Sequence, residues 1–211
     1  MDNKQYWSNK HQKYSATDWI DNPSLFSKFT LEFLPKQGNL LDLGCGQGQD
    51  SRFFSENGFK VTAADFSLAA LDIAKAKTKL DLDIVYEPHD MQEKFVYEDD
   101  SFDVVYSHMA IHYFDNEVTN KLFFELTRVL KPNGILAVQV NSKSDPEIIN
   151  SKIISEDLYE TPSGLIKRFF DEASILKFAQ NKFETIVLDS KGETYKDENK
   201  SLIRYIGKKL I

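Results

Sequence analysis

The sequence is poor in the features that mark secreted, membrane-spanning or nucleic-acid-binding proteins. It has one cysteine, Cys45, in 211 residues, so an internal disulfide is excluded and a reducing compartment is expected. No apolar run approaches the roughly 20 residues that span a bilayer. The polar start Met1-Asp2-Asn3-Lys4-Gln5 lacks the apolar stretch of a signal peptide, and the expected location is the cytoplasm. Positive charge is scarce: 26 Lys and Arg face 33 Asp and Glu, for a net charge of −7. Gripping phosphates takes a basic surface, so the expected partners include no nucleic acid and no membrane. The pair Lys208-Lys209 is too short to change that. Repeats and low-complexity segments are absent too, and a hydrophobic content of 41% is ordinary for a globular chain. A single domain over residues 1–211 is the expectation.

What is present is concentrated in Leu40-Leu41-Asp42-Leu43-Gly44-Cys45-Gly46-Gln47-Gly48-Gln49-Asp50. A short apolar run bounded by turn residues reads as a buried parallel strand. Glycines directly after it permit positive φ and let a ligand approach the backbone without meeting a Cβ. A helix from Gln49 to Asn57 follows, with Gly58 placed for a left-handed C-terminal cap. A helix N-terminus facing a glycine turn suits polar or anionic ligand groups. Dinucleotide-binding turns space their glycines G-x-G-x-x-G, whereas Gly44, Gly46 and Gly48 run G-x-G-x-G. Asp42 adds a carboxylate that repels a pyrophosphate and welcomes a ligand carrying an ammonium and a sulfonium. Cys45, between two turn glycines, reads as filler and not as a nucleophile.

The second strand, Phe59 to Ala64, ends at Asp65, and Ser67 caps a helix running to about Leu80. A carboxylate here suits two vicinal ribose hydroxyls. Asp65 lies 21 residues beyond Gly44, a spacing that dinucleotide folds share, so it supports an adenosine ligand without choosing which. Upstream, Asn22 is expected to cap a helix with Pro23 first, Leu25, Phe26, Phe29 and Phe33 buried, and Pro35 stopping it. Downstream, Leu82–Tyr86 and Ser101–Ser107 read as strands and Asp115–Lys131 as an amphipathic helix. Pro132-Asn133-Gly134 turns it into the strand Ile135–Val140. Residues 141–170 show no period, and so long an irregular connection is usually functional or disordered. Asp171 starts a last helix, followed by two strands, about Phe183–Ser190 and Leu202–Ile211, as a hairpin across the polar Lys191-to-Lys200 connection. His108 and His112 sit four apart but have no matching third ligand, so no metal site is expected.

From the acid and G-x-G-x-G onward, the chain resembles the class I S-adenosylmethionine-dependent methyltransferases, and Val129-Leu130-Lys131-Pro132-Asn133-Gly134 matches a structural signature of that family. The resemblance implies an α/β fold: a doubly wound, Rossmann-like seven-stranded sheet with its last strand antiparallel. It implies S-adenosylmethionine as cofactor, held by Asp42, Gly44, Cys45, Gly46, Asp65, Phe66, Asp90, Met91, Ser107 and His108. Asp90 would accept from the adenine amino group and Met91 offer its backbone N–H. Residues of about 1–35, with aromatics at Tyr6, Trp7 and Tyr14, would form a helical lid, and residues 141–170 a cap over the substrate side. His112 is the candidate general base, because an unperturbed imidazole titrates near 6.5. The expected acceptor is a small molecule, with a looser resemblance to thiol and tellurite methyltransferases, and the chain would act as a monomer or homodimer. Two alternatives stay open: a nicotinamide-dependent oxidoreductase and a non-catalytic S-adenosylmethionine-binding module.

Overall fold

The computed structural model describes residues 3–14, 21–194 and 200–211. Residues 15–20 of the expected lid, and 195–199 of the final connection, lie outside the described residues. The chain begins with α1 (Asn3–Tyr14) and α2 (Leu25–Leu31), then alternates strand and helix: β1 (Gly38–Leu43), α3 (Gln49–Glu56), β2 (Phe59–Asp65), α4 (Leu68–Lys77), β3 (Ile84–Pro88), β4 (Phe102–His108), α5 (Asn116–Val129) and β5 (Leu130–Asn141). A 3-10 turn (Pro146–Asn150) leads into short strands β6 (Lys152–Ser155), β7 (Leu158–Glu160) and β8 (Ile166–Arg168). Helix α6 (Glu172–Ala179) and strands β9 (Phe183–Gly192) and β10 (Leu202–Lys209) complete it.

The main sheet has seven strands in the order β3-β2-β1-β4-β5-β10-β9. β1 to β5 are parallel, and β10 pairs antiparallel with both β5 and β9. The strand order reverses between β1 and β4, where Leu40, Leu41 and Asp42 lie opposite Val104, Val105 and Tyr106. Crevices at such a reversal, beyond the strands' C-terminal ends, are where open α/β sheets bind ligands. Successive side chains point to opposite faces, and both faces are covered. Leu40, Val61, Ala63, Val104 and Ala137 pack with Phe26, Phe54 and Leu71 of α2, α3 and α4. Leu41, Leu43, Val105, Leu136 and Val138 pack with Leu122, Leu126, Ile175 and Phe178 of α5 and α6. Burial on both faces is why these strands read as continuous apolar runs.

Several boundaries differ from the sequence expectation for physical reasons. Helix α2 is capped by Ser24, not Asn22, because Ser24 Oγ accepts the Ser27 N–H at 2.9 Å. Ser24 is pinned there by Asp50, whose carboxylate accepts its N–H at 2.6 Å and its hydroxyl at 2.8 Å. Helix α4 stops at Lys77, short of Leu80, as Thr78 leaves the helical backbone and its hydroxyl meets Tyr86 Oη at 2.8 Å. Pro132-Asn133-Gly134 falls within the long β5, with Asn133 at φ +66°. Residues 141–170 are not irregular throughout, since β6, β7 and β8 form a small antiparallel sheet. Among the described residues no helix is long and apolar enough to cross a membrane.

Ser24 joins α2, α3 and β4, because Tyr106 Oη also donates to Asp50 Oδ2 at 2.8 Å. Ser24→Ala removes the cap and one of the donors on a buried carboxylate. The expected loss is about 2 kcal/mol, read as a lower midpoint in urea at unchanged slope. A loss below about 0.5 kcal/mol, the size of an ordinary surface change, would show that Ser24 does not hold these three elements.

Candidate functional site

The three turn glycines adopt left-handed φ of +79° (Gly44), +55° (Gly46) and +71° (Gly48). The turn is folded back on β2, where Ala64 O accepts the N–H of Gly44 at 2.8 Å and of Cys45 at 3.0 Å. A Cβ on Gly44 would overlap Ala110, which follows β4 across the strand reversal. Gly58, at φ +95°, follows α3 as its sequence position suggested.

Asp65, at the end of β2, locks the turn from the other side. Its Oδ2 accepts the Gly46 N–H and its Oδ1 the Ser67 N–H, both at 2.9 Å. Burial pushes this carboxyl above its ordinary value, opposed by the Ser67 N–H, the nearby His11 and the Gly46 N–H. Ser67 caps α4 by accepting the Ala70 N–H at 3.3 Å.

Above these loops lies a cavity of about 910 Å³. Gly44, Cys45, Gly46, Asp65, Phe66, Asp90, Met91 and His108 all line it. Met109, at φ +56°, turns the chain out of β4. Helix α1 covers one side through Tyr6, Trp7 and His11, with the Trp7 and Tyr113 rings 5.8 Å apart. It is held over the turn by Gln47 Nε2, which donates to His11 O at 2.7 Å. Asn3 exchanges two hydrogen bonds with the backbone of Ile166 on β8, at 3.2 and 3.3 Å.

Three expected site residues are not on the cavity wall. Asp42 is buried under the turn, where Oδ2 accepts the Ser51 hydroxyl at 2.5 Å. Burial, with Asp50 beside it, pushes its carboxyl up to about 8, so at neutral pH it is mainly protonated and offers little full charge. Ser107 is buried too, and its hydroxyl donates to Leu43 O at 2.8 Å, tying β4 to β1. His112 is fully buried, its ring 4.4 Å from that of Tyr113. Burial, then the charges of Lys167, His108 and Lys200, hold its pKa well below the ordinary imidazole value. Burial likewise pushes the Cys45 thiol up, which suits filler and not a nucleophile.

The sequence reading missed Asn141, Glu147, Lys167 and Lys200, all on the cavity wall. Asn141 left a usable signal: it is the polar residue that ends β5, two to three residues beyond the level at which β1 and β2 end. Lys167 and Glu147 left none, lying in the segment without a period. Among the described residues no cluster of three metal-type ligands occurs.

A sheet in this order, with one reversed strand and a cavity over a glycine turn, is the fold of the class I S-adenosylmethionine-dependent methyltransferases. Residues 40–134 match the model of the methyltransferase domain. The putative methyltransferase YqeM of Bacillus subtilis is 37% identical over 120 residues, covering 56% of this chain and 48% of YqeM. The chain spans about half the length, or less, of the curated relatives it matches. Among solved structures, an S-adenosylmethionine-dependent methyltransferase from Methanosarcina mazei superposes with a TM-score of 0.75 at 21% identity, covering 87% of this chain and 97% of that one. A Burkholderia thailandensis 1,6-didemethyltoxoflavin-N1-methyltransferase, with that small molecule and S-adenosylhomocysteine bound, gives 0.74 at 15% identity, covering 98% and 85%. At these identities the superpositions show the fold.

The raised Asp42 carboxyl makes stability pH-dependent. Its pKa is 3.8 ordinarily and about 8 here, so between those values the folded chain keeps a proton that the unfolded chain has lost. This group therefore destabilises the fold as pH rises, by at most about 1.4 kcal/mol per pH unit. Asp42→Asn can still accept from Ser51 and does not titrate. Thermal melts from pH 4 to pH 8 should show the variant gaining on the natural chain as pH rises. A constant difference across that range would place the Asp42 pKa near its ordinary value.

Proposed function

We propose that the chain binds S-adenosylmethionine in this cavity and transfers its methyl group to a small-molecule acceptor. The observation that carries the proposal is Asp65. Each of its oxygens spends one lone pair on a backbone N–H and keeps acceptor capacity toward the cavity that it lines. That suits two ribose hydroxyls. The glycine turn is a cradle that side chains would fill, since a Cβ on Gly46 would stand 3.1 Å from His11. Asp90 and Met91, on the same wall, are placed for an adenine. Asp42, off the wall, supports the turn from below through Ser51.

When bound, S-adenosylmethionine supplies an electrophilic methyl on a sulfonium. The chain's own part is alignment and exclusion of water, and the aromatic wall of Tyr6, Trp7 and Tyr113 serves the second. His112 is not given the proton in this proposal, because a neutral imidazole behind Tyr113 does not face the acceptor. His11 and His108 are the imidazoles on the wall, His108 with Nδ1 3.7 Å from Asp50 Oδ2. The bound didemethyltoxoflavin of the Burkholderia structure supports a small acceptor, and the net charge of −7 speaks against a nucleic acid. The match of residues 40–134 to the methyltransferase domain favours this reading over the nicotinamide alternative.

Calorimetry tests the proposal. S-adenosylhomocysteine should bind with a micromolar Kd, and Asp65→Ala should weaken it by about 2–3 kcal/mol, since two charge-assisted hydrogen bonds are lost. The same variant should lose about 1–2 kcal/mol of stability, because the Gly46 and Ser67 N–H groups lose their acceptor. Binding of NAD in place of S-adenosylhomocysteine would overturn the proposal. Methyl-labelled S-adenosylmethionine incubated with a metabolite extract then separates an enzyme from a non-catalytic module, by whether a small compound acquires the label.

A further inference from the structure

The cavity has a second, polar end that no part of the cofactor reading uses. Four residues from separate elements meet there: Asn141 ends β5, Glu147 lies in the 3-10 turn, Lys167 is on β8, and Lys200 precedes β10. All four line the cavity. The pairing of β10 with β5 sets Leu202 opposite Asn141, which brings Lys200 to that strand end. Phe170 N–H donates to Asn141 O at 2.8 Å, which brings in the chain just after Lys167.

Lys167 Nζ donates to both oxygens of Glu147 at 3.0 Å, and Lys200 Nζ to one of them at 2.9 Å. Two ammonium groups thus share the single carboxylate of Glu147. Asp145 stands behind them, fully buried, with Lys200 at 3.7 Å, and its oxygens accept the N–H groups of Glu147 and Ser201. Asn141 is 0% exposed, yet among the described residues neither its Oδ1 nor its Nδ2 has a hydrogen-bond partner. A buried amide left unsatisfied costs stability, and Asn141 lines the cavity.

We propose that Lys167, Lys200 and Asn141 form a carboxylate subsite, and that the methyl acceptor is a small carboxylic acid anchored there; this rests on the methyltransferase reading above. A cationic acceptor would meet two ammonium groups and a carboxylate already saturated by them. A neutral apolar acceptor would leave Asn141 unpartnered. A carboxylate takes N–H donors from both kinds of residue, and charge-assisted bonds of this sort are the strong ones. The lysines and Asn141 act here as specificity residues, not as reacting groups. An acceptor that is already an anion also lessens the need for a general base, in keeping with the position of His112.

The test is binding, not turnover. Malonate, fumarate and benzoate, each against its primary amide, are titrated by calorimetry into the chain alone and into the chain saturated with S-adenosylhomocysteine. At least one acid should bind, with its amide about tenfold weaker or more, the loss expected of one charged hydrogen-bond set. Lys200→Met and Asn141→Ala should each weaken that acid at least about fivefold, with the affinity for S-adenosylhomocysteine unchanged. Absence of binding by all three acids, equal binding of acid and amide, or natural affinity in both variants would overturn the subsite. Failure of S-adenosylhomocysteine to bind would overturn the methyltransferase reading instead, while titration into the ligand-free chain still decides the subsite.

Discussion

The pair of hydrogen bonds from Gly46 and Ser67 to the Asp65 carboxylate is the constraint on which the cavity depends. It fastens the turn after β1 to the turn after β2, at the strand ends beside the reversal of sheet order. It joins the Ala64 carbonyl and the Gly48 N–H bond to Cys45 O in fixing three left-handed glycines, and glycine is the residue with most backbone freedom to lose. The same carboxylate lines the cavity. Support of the loop and presentation of acceptor oxygens are therefore one feature, and no substitution separates them cleanly.

Beneath that turn the chain buries acids, and their partners show how the cost is contained. Asp50 accepts from Ser24 and Tyr106 and sits in the first turn of α3, where the helix N-terminus favours negative charge. Among the described residues Asp42 has only the Ser51 hydroxyl and lies close enough to Asp50 to feel its charge. Burial and that neighbouring charge drive Asp42 to keep its proton. The acid of the first motif thus works here through the loop it supports, and the carboxylate on the cavity wall is Asp65.

The parts legible in the sequence were those fixed by short-range chemistry. Spaced glycines after an apolar run, Ser67 before α4 and Asp171 before α6 each announce a turn or cap whose partners lie within a few residues; Asp171 does so through a capping box with Ser174. The parts that were not legible depend on partners far along the chain. Ser24 outcompeted Asn22 as a cap because Asp50, on another helix, holds it. The small sheet of β6, β7 and β8 has short strands with an exposed face: Ile153 is 70% exposed, so no alternation of apolar and polar residues marks it. His112 looked like a base because nothing local reveals burial. Its backbone carbonyl accepts the Arg168 N–H at 2.7 Å, a contact between segments that no spacing predicts.

That division runs through the cavity itself. The half assigned to the cofactor is built from the ends of consecutive parallel strands, so its residues recur at sequence intervals that the fold dictates. The polar half draws on the end of β5, the start of β10 and the segment between β5 and α6, and its geometry depends on how the β6–β8 segment is seated. Arg168 does much of that seating. Its Nε donates to Phe114 O at 3.0 Å and its guanidinium lies 5.5 Å from the Phe178 ring, with burial lowering its pKa. A buried cation is costly unless its surroundings are well fitted, so this residue gives the segment little freedom to settle elsewhere. Through its bonds to the carbonyls of His112 and Phe114, Arg168 joins the wall that follows β4 to the strand carrying Lys167. The position of Lys167 is thereby tied to the same segment as His108 and Tyr113, and a shift of the small sheet would alter both halves of the cavity together.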